Sequence, residues 1–142
     1  MSQVFLEWDF GAQVHAPCAD ISFARLPQGK LRLLLYFSLV RDGIPNDLEI
    51  TFNRAVAMTW HEEALHSVSV GWPKSLPRLV DGKWKGWTHP FLQVHESDWL
   101  RRLDYMPLVK GLGHFALVAM NDIVEVLADP TPSFRWVPKD GA

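Results

Sequence analysis

The chain has a single cysteine, Cys18, so it lacks the pair needed for an intramolecular disulfide and the cluster needed for a thiolate zinc site. A lone thiol suits a reducing compartment, and the expected location is cytoplasmic. Cys18 follows Pro17 and has no cationic neighbour in sequence to lower its pKa, so it reads as a small packing residue rather than a nucleophile. No apolar run approaches the ~20 residues of a membrane helix. The opening stretch MSQVFLEWDFGAQ has no Lys or Arg ahead of an apolar core and contains Glu7 and Asp9, which argues against a signal peptide. There is no charge excess: the net charge is −2, with Lys and Arg scattered, whereas nucleic-acid binders favour a basic stripe. Nucleophile-elbow and phosphate-loop motifs are missing, and Gly111-Leu112-Gly113 lacks the third glycine of a dinucleotide loop. Neither a membrane nor a nucleic-acid partner is expected, and no cofactor or metal.

What remains is greasy and aromatic. The 142 residues suit one domain, residues 1–142. A chain of this size buries roughly 68–70% of its unfolded surface and needs no metal or disulfide to hold its core. Leu31 to Val40, LRLLLYFSLV, is the most continuous apolar run. Its odd positions Leu31, Leu33, Leu35, Phe37 and Leu39 are all apolar, and alternate strand residues share a face, so a central strand is expected. Residues 19–26 form a weaker strand, joined to it by the turn Pro27-Gln28-Gly29-Lys30. A polar loop is expected over residues 41–47. A long alternating strand follows over residues 48–60, interrupted at Arg54 by a bulge. Residues 19–60 thus read as a three-stranded antiparallel meander. Ahead of it, residues 3–10 alternate with Val4, Leu6, Trp8 and Phe10 on the buried side.

The later half is more mixed. Residues 91–95 read as a short strand. Ser97 fits a helix N-cap, with Asp98 in the first turn and Trp99, Leu100, Leu103 and Met106 on one helical face up to Pro107. Residues 114–120 and 123–128 are either a hairpin turning at Asn121-Asp122 or one bulged strand, and residues 134–137 a last edge strand. The expected class is α+β: a mainly antiparallel sheet, one short amphipathic helix near residues 97–106, and a long Trp-rich loop over residues 71–88.

Three constellations carry chemistry. His61 and His66 are five apart, which on a helix splays the rings by ~140° and on a strand puts them on opposite faces, so a metal site fails on geometry. His89, His95 and His114 could converge with a carboxylate on a cleft, which would make a small enzyme. Glu62, Glu63, Asp122 and Glu125 could pair as carboxylates, or be solvated strand ends. The strongest unusual feature is aromatic: Trp72, Trp84, Trp87 and Trp99 fall within 28 residues, with Lys83 and Lys85 interleaved. If residues 83–87 were an extended arm, the lysines would share one face and Trp84 would take the other. Such rings can pin a loop to the fold, stack on a sugar, or anchor a protein partner.

Two segments carry a resemblance. Residues 48–63, LEITFNRAVAMTWHEE, and residues 113–128, GHFALVAMNDIVEVLA, cover about a quarter of the chain. Together they resemble small bacterial α+β proteins of toxin-immunity type. The resemblance implies a protein that blocks a partner, and it carries over no catalytic residue. The expectation is therefore a non-enzymatic interaction module, immunity-like, whose binding residues are Trp72, Lys83, Trp84, Lys85, Trp87 and His89. The alternatives are a small enzyme with a His/carboxylate cleft and a carbohydrate binder using exposed tryptophans. An unpaired sheet edge leaves homodimerisation open.

Overall fold

A computed structural model describes residues 3–12, 14, 16–41, 44–62, 76–80 and 82–139. Among these, nine strands build two antiparallel sheets that pack face to face. The strands are β1 (Val4–Glu7), β2 (Asp20–Leu26), β3 (Lys30–Arg41), β4 (Ile44–Phe52), β5 (Ala57–Glu62), β6 (Phe91–His95), β7 (Gly113–Val118), β8 (Asp122–Ala128) and β9 (Ser133–Pro138). One sheet has the order β1-β6-β7-β8-β5, the other β2-β3-β4-β9. Among the described residues the one α-helix, α1 (Asp98–Arg102), has five residues and ends well short of Met106. The architecture is therefore mostly β, a packing of two antiparallel sheets with little helix, so the expected α+β balance is tilted strongly toward strand.

The central strand behaves as its alternation predicts. Leu31, Leu33 and Leu35 pair with Phe52, Ile50 and Leu48, and all six are buried between the sheets. Opposite them the second sheet presents Phe91, Phe115, Leu117, Val124, Val126 and Ala128. Phe52 and Phe115 bring their ring centroids to 6.0 Å across this interface, and Phe37 and Phe91 to 5.9 Å. The β2–β3 turn is a tight one, with Gln28 (φ 65°) and Gly29 (φ 72°) both left-handed. A glycine supplies that conformation without steric cost.

Several expectations are overturned. The polar loop expected over residues 41–47 is mostly strand, because β3 and β4 are joined through residues 42–43 alone. Pro45 is tolerated there since the β4–β9 ladder begins only at Asn46, beyond the position where a missing N–H would matter. The strand expected over residues 48–60 is two strands in different sheets. The chain leaves β4 at Phe52, turns at Arg54 (φ 47°) and enters the other sheet as β5. The crossing is tied down by hydrogen bonds from Ala55 N to Gly29 O (2.8 Å) and from Val56 N to Leu127 O (3.0 Å). An alternating sequence cannot tell a bulge from a change of sheet, since both keep the greasy side inward. The parity of the first strand is also reversed: Phe5 is buried while Val4 and Leu6 are exposed. β1 pairs with β6 so that Phe5 sits beside Val94 on the outer face of its sheet, in a second apolar cluster with Leu92 and Ala116. Trp8, past the strand end, turns into the main core against Phe115 (4.2 Å).

The Asn121-Asp122 ambiguity resolves as a hairpin between β7 and β8. Residues 134–137 lie in the edge strand β9, as expected. Cys18 is fully buried where the two sheets meet, bridging to Ala119, and burial pushes its thiol up to about 12. Of the expected Trp-rich loop, residues 71–75 and 81 lie outside the described residues. The described remainder, residues 76–80 and 82–88, is turns held by one isolated bridge between Arg78 and Thr88. No helix among the described residues is long and apolar enough to cross a membrane.

The packing predicts which leucine matters. Leu33→Ala should lower the unfolding free energy by about 2–5 kcal/mol, because a fully buried side chain leaves a cavity. Leu34→Ala, on the opposite and half-buried face, should cost clearly less. Urea unfolding of both variants checks the order, and equal losses would contradict the inner face assigned to β3.

Candidate functional site

The aromatic arm runs from Pro77 to His89. Arg78 and Thr88 form an isolated antiparallel bridge. Above it Leu79 N donates to Trp87 O (2.8 Å) and Gly86 N to Leu79 O (2.9 Å), and below it His89 N donates to Pro77 O (2.9 Å). Arg78 closes the side with a 2.7 Å bond from its guanidinium to Gly86 O. Between these rungs the chain does not continue as strand. Residues 82–86 turn back on themselves, with Lys85 N bonded to Gly82 O and Trp87 N to Trp84 O. Gly82 (φ 79°) and Gly86 (φ 92°) supply the positive φ that these turns require.

This geometry changes the expected faces. Because residues 83–87 are a turn and not an extended arm, Lys83 lies on the same side as Trp84, its ammonium 5.2 Å from the ring centroid. Trp84 and Trp87 meet edge to face at 5.4 Å and 87°. Trp84 is half-buried, Trp87 is 42% exposed and Val80, which follows the buried Leu79, is 75% exposed. Lys83 and Lys85 are exposed as well. Leu79 anchors the arm from beneath. Rings at right angles do not make the shared flat platform on which a sugar stacks. Trp72 lies outside the described residues.

His89, also expected at the surface, is buried at the base of the arm. Its Nδ1 lies 3.0 Å from Phe91 O and 3.1 Å from Phe91 N, and its Nε2 3.2 Å from Glu7 of β1. Burial holds its pKa below the usual 6.5, although the Glu7 charge pulls it back up. His89 thus ties the arm to the first strand.

The three histidines do not converge. His95 is exposed at the end of β6, and His114 lies on β7 in a network of its own. There Leu100 N donates to Ser97 Oγ (3.1 Å), Ser97 Oγ meets His114 Nδ1 at 2.7 Å, and His114 Nε2 meets Glu125 Oε1 at 2.7 Å. The edge of Trp99 from α1 closes over the imidazole at 5.4 Å. Ser97, His114 and Glu125 are 5%, 4% and 8% exposed. The elements of this string explain it. Ser97 caps α1, His114 and Glu125 share the outer face of the β7–β8 hairpin, and small neighbours, Ala116 on one side and Thr59 on the other, flank Glu125 across the strands. Thr59 Oγ1 is itself buried, without a hydrogen-bond partner among the described residues.

A serine, histidine and carboxylate in line could relay a proton, but a nucleophile needs an approach path. This one is covered by its own helix, and its oxygen already accepts the capping N–H. The string acts as a clamp from helix to sheet. Sequence reasoning found Ser97 as the cap but missed its partners. The available signal was Glu125, a lone charge inside the apolar run IVEVLA, which must be buried on one parity and so needs a partner.

The acidic residues separate similarly. Glu125 belongs to the clamp, while Asp122 lies near Asp20 and Glu62 and Glu63 falls outside the described residues. Partial burial, a hydrogen bond with Asp20 and the charges of Asp20 and Glu62 raise the Asp122 pKa, which a Trp60 hydrogen bond partly offsets. Among the described residues no group of three His, Cys, Asp or Glu side chains is placed to hold a metal ion. No family model, curated protein or solved structure matches this chain, so function rests on the geometry.

Two predictions follow from the buried histidines. His114→Ala removes the imidazole that Glu125 meets at 2.7 Å inside the fold and, as the breaking of a buried pair, should cost about 3–5 kcal/mol. The double variant His114→Leu with Glu125→Leu should recover much of that loss. Denaturant unfolding of the three proteins decides it, and an additive double variant would mean that no clamp joins the two. His89 has a lowered pKa in the folded chain. Between the folded value and 6.5 the unfolded chain binds the proton and the folded chain does not. Stability therefore rises with pH up to about 6.5 and is lost as pH falls below it. Between about pH 7 and pH 5 the wild type should lose more stability than His89→Gln. Parallel pH profiles would show that His89 is not held neutral.

Proposed function

We propose that the chain is a non-enzymatic, cytoplasmic binding module that occludes a protein partner, with a toxin as the partner implied by its immunity-type resemblance. The observation that carries the reading is the paired indoles at the tip of the arm, Trp84 against Trp87, with Trp87 and Val80 exposed on the same arm. Interface centres favour Trp and Arg with a polar rim, and a few desolvated aromatic anchors supply most of the binding energy. A folded tip stiffened by two turns loses little conformational freedom on binding. Lys83 and Lys85 flank the indoles, which favours an acidic surface on the partner and accelerates encounter at low salt. His89 serves from below, fixing the base of the arm.

The test is comparative capture. Wild type and the double variant Trp84→Ala with Trp87→Ala are used as bait in extract of the source cell, with bound proteins identified by mass spectrometry. The expected result is a protein held by the wild type and at least about tenfold depleted with the double variant, as loss of one hot-spot anchor implies. Bait that recovers the same proteins with and without the two indoles overturns the reading.

A further inference from the structure

Among the described residues, nothing pairs with the outer edge of β2 in the second sheet. On β2, Phe23 and Arg25 pair with Leu33 and Leu31 and therefore point toward the inner face. Leu31 and Leu33 are buried, yet Phe23 is 49% exposed. The facing sheet stops short of it. Its edge strand β5 and the approach to it, Ala55–Met58, form the far wall of a groove of about 250 Å³ floored by Phe23 and Leu31 and rimmed by Arg25 and Lys30. This lies below the ~300 Å³ at which small-molecule pockets begin, so it has room for an anchoring side chain, not a whole ligand.

Two more features define the occupant. β2 is an edge strand of its sheet, and the backbone groups on its outer side form a template for another strand. The hairpin that carries it is strongly basic. Residues 20–41 hold Arg25, Lys30, Arg32 and Arg41 against one acid, Asp20 at the far end of β2, although the whole chain has a net charge of −2. Neither Arg25 nor Lys30 forms an ion pair with another described residue.

We infer that this corner is a second recognition site, independent of the arm, which takes an extended acidic peptide by strand addition to β2. Main-chain bonds to the edge supply affinity, and alternate side chains supply specificity. A strand laid beside β2 sends every second residue into the groove. Phe23 and Arg25 are themselves two apart, so the matching ligand carries an apolar side chain and a carboxylate two residues apart. The apolar group packs on Phe23, Leu31 and Met58. The carboxylate meets Arg25, with Lys30 adjacent.

The probe is a blocked seven-residue threonine-rich peptide with valine and glutamate two apart, titrated into the isotopically labelled chain and followed by amide chemical shifts. Its control carries lysine for glutamate. The expected result is shifts and slowed amide exchange along residues 20–26, with affinity about tenfold weaker for the lysine peptide and for Arg25→Glu. Affinity should also fall as salt rises. Arg25 is exposed, so circular dichroism should show an unchanged fold in that variant. Trp84→Ala with Trp87→Ala should bind the peptide as the wild type does, which separates this site from the arm. No shifts up to about 1 mM peptide, equal binding of both peptides, or binding unaffected by Arg25→Glu each overturn the inference. So does shifting confined to other strands, or protection of β2 by self-association without peptide. A single-stranded oligonucleotide that displaces the peptide would reassign the corner to nucleic acid and also overturn it.

Discussion

Burial of one sheet against the other is the constraint on which the molecule depends. Leu33 with Ile50 from one layer, and Phe115, Leu117 and Val124 from the other, exclude water on both sides at once. Fully burying each such side chain stabilises by about 1.5–3 kcal/mol, and only the facing sheet makes that burial complete. Neither layer is stable as a single sheet with one greasy face in water. This also explains why the chain changes sheet at Arg54 instead of continuing as one strand. β4 ends where its partner layer must begin, and Arg54 seals the corner by donating to Leu108 O and Lys110 O.

The five-stranded sheet then has an outer face of its own to satisfy. It does so with two devices of different chemistry. At one end Phe5, Leu92, Val94 and Ala116 form a small apolar cluster. Nearby, the Ser97–His114–Glu125 string fixes the short helix to the sheet through polar groups. A buried charge is tolerable when hydrogen-bonded on every side, and the five-residue helix is too short to hold itself. His89 and Glu7 repeat the solution on a smaller scale, joining the arm to β1. His89 and His114 are therefore connectors of this fold, each pairing with a carboxylate from a different strand.

What the scaffold leaves uncovered is as informative as what it covers. The arm ends in perpendicular indoles among cations, and the β2 corner leaves a phenylalanine half in water beside two cations that pair with no described acid. Both are small and basic on a chain that is acidic overall, and both sit on rigid support. Exposed apolar side chains rimmed by like charges stay soluble alone yet meet an oppositely charged surface readily.

Strand propensity, the central position of Leu31–Val40, the β2–β3 turn, the Ser97 cap and the last edge strand were all legible in the amino-acid sequence. Each rests on local chemistry: period-two burial, positive φ at Gly29, an oxygen that satisfies an orphan N–H. The parity of residues 4–8, the splitting of residues 48–60 between two layers and the meeting of His114 with Glu125 were not. Alternation says that one side of a strand is buried but not against what, so Phe5 and Trp8 could enter different cores without breaking any local rule. The lysine–tryptophan arrangement of the arm failed for a related reason, since two positive-φ glycines turned a stretch that alternation alone would extend. By itself, then, the sequence determined that this is a cysteine-poor, mainly antiparallel β protein with an aromatic stretch around Trp84 and Trp87. Only the tertiary structure decided which faces meet and which stay open, because that depends on contacts between residues far apart in the chain.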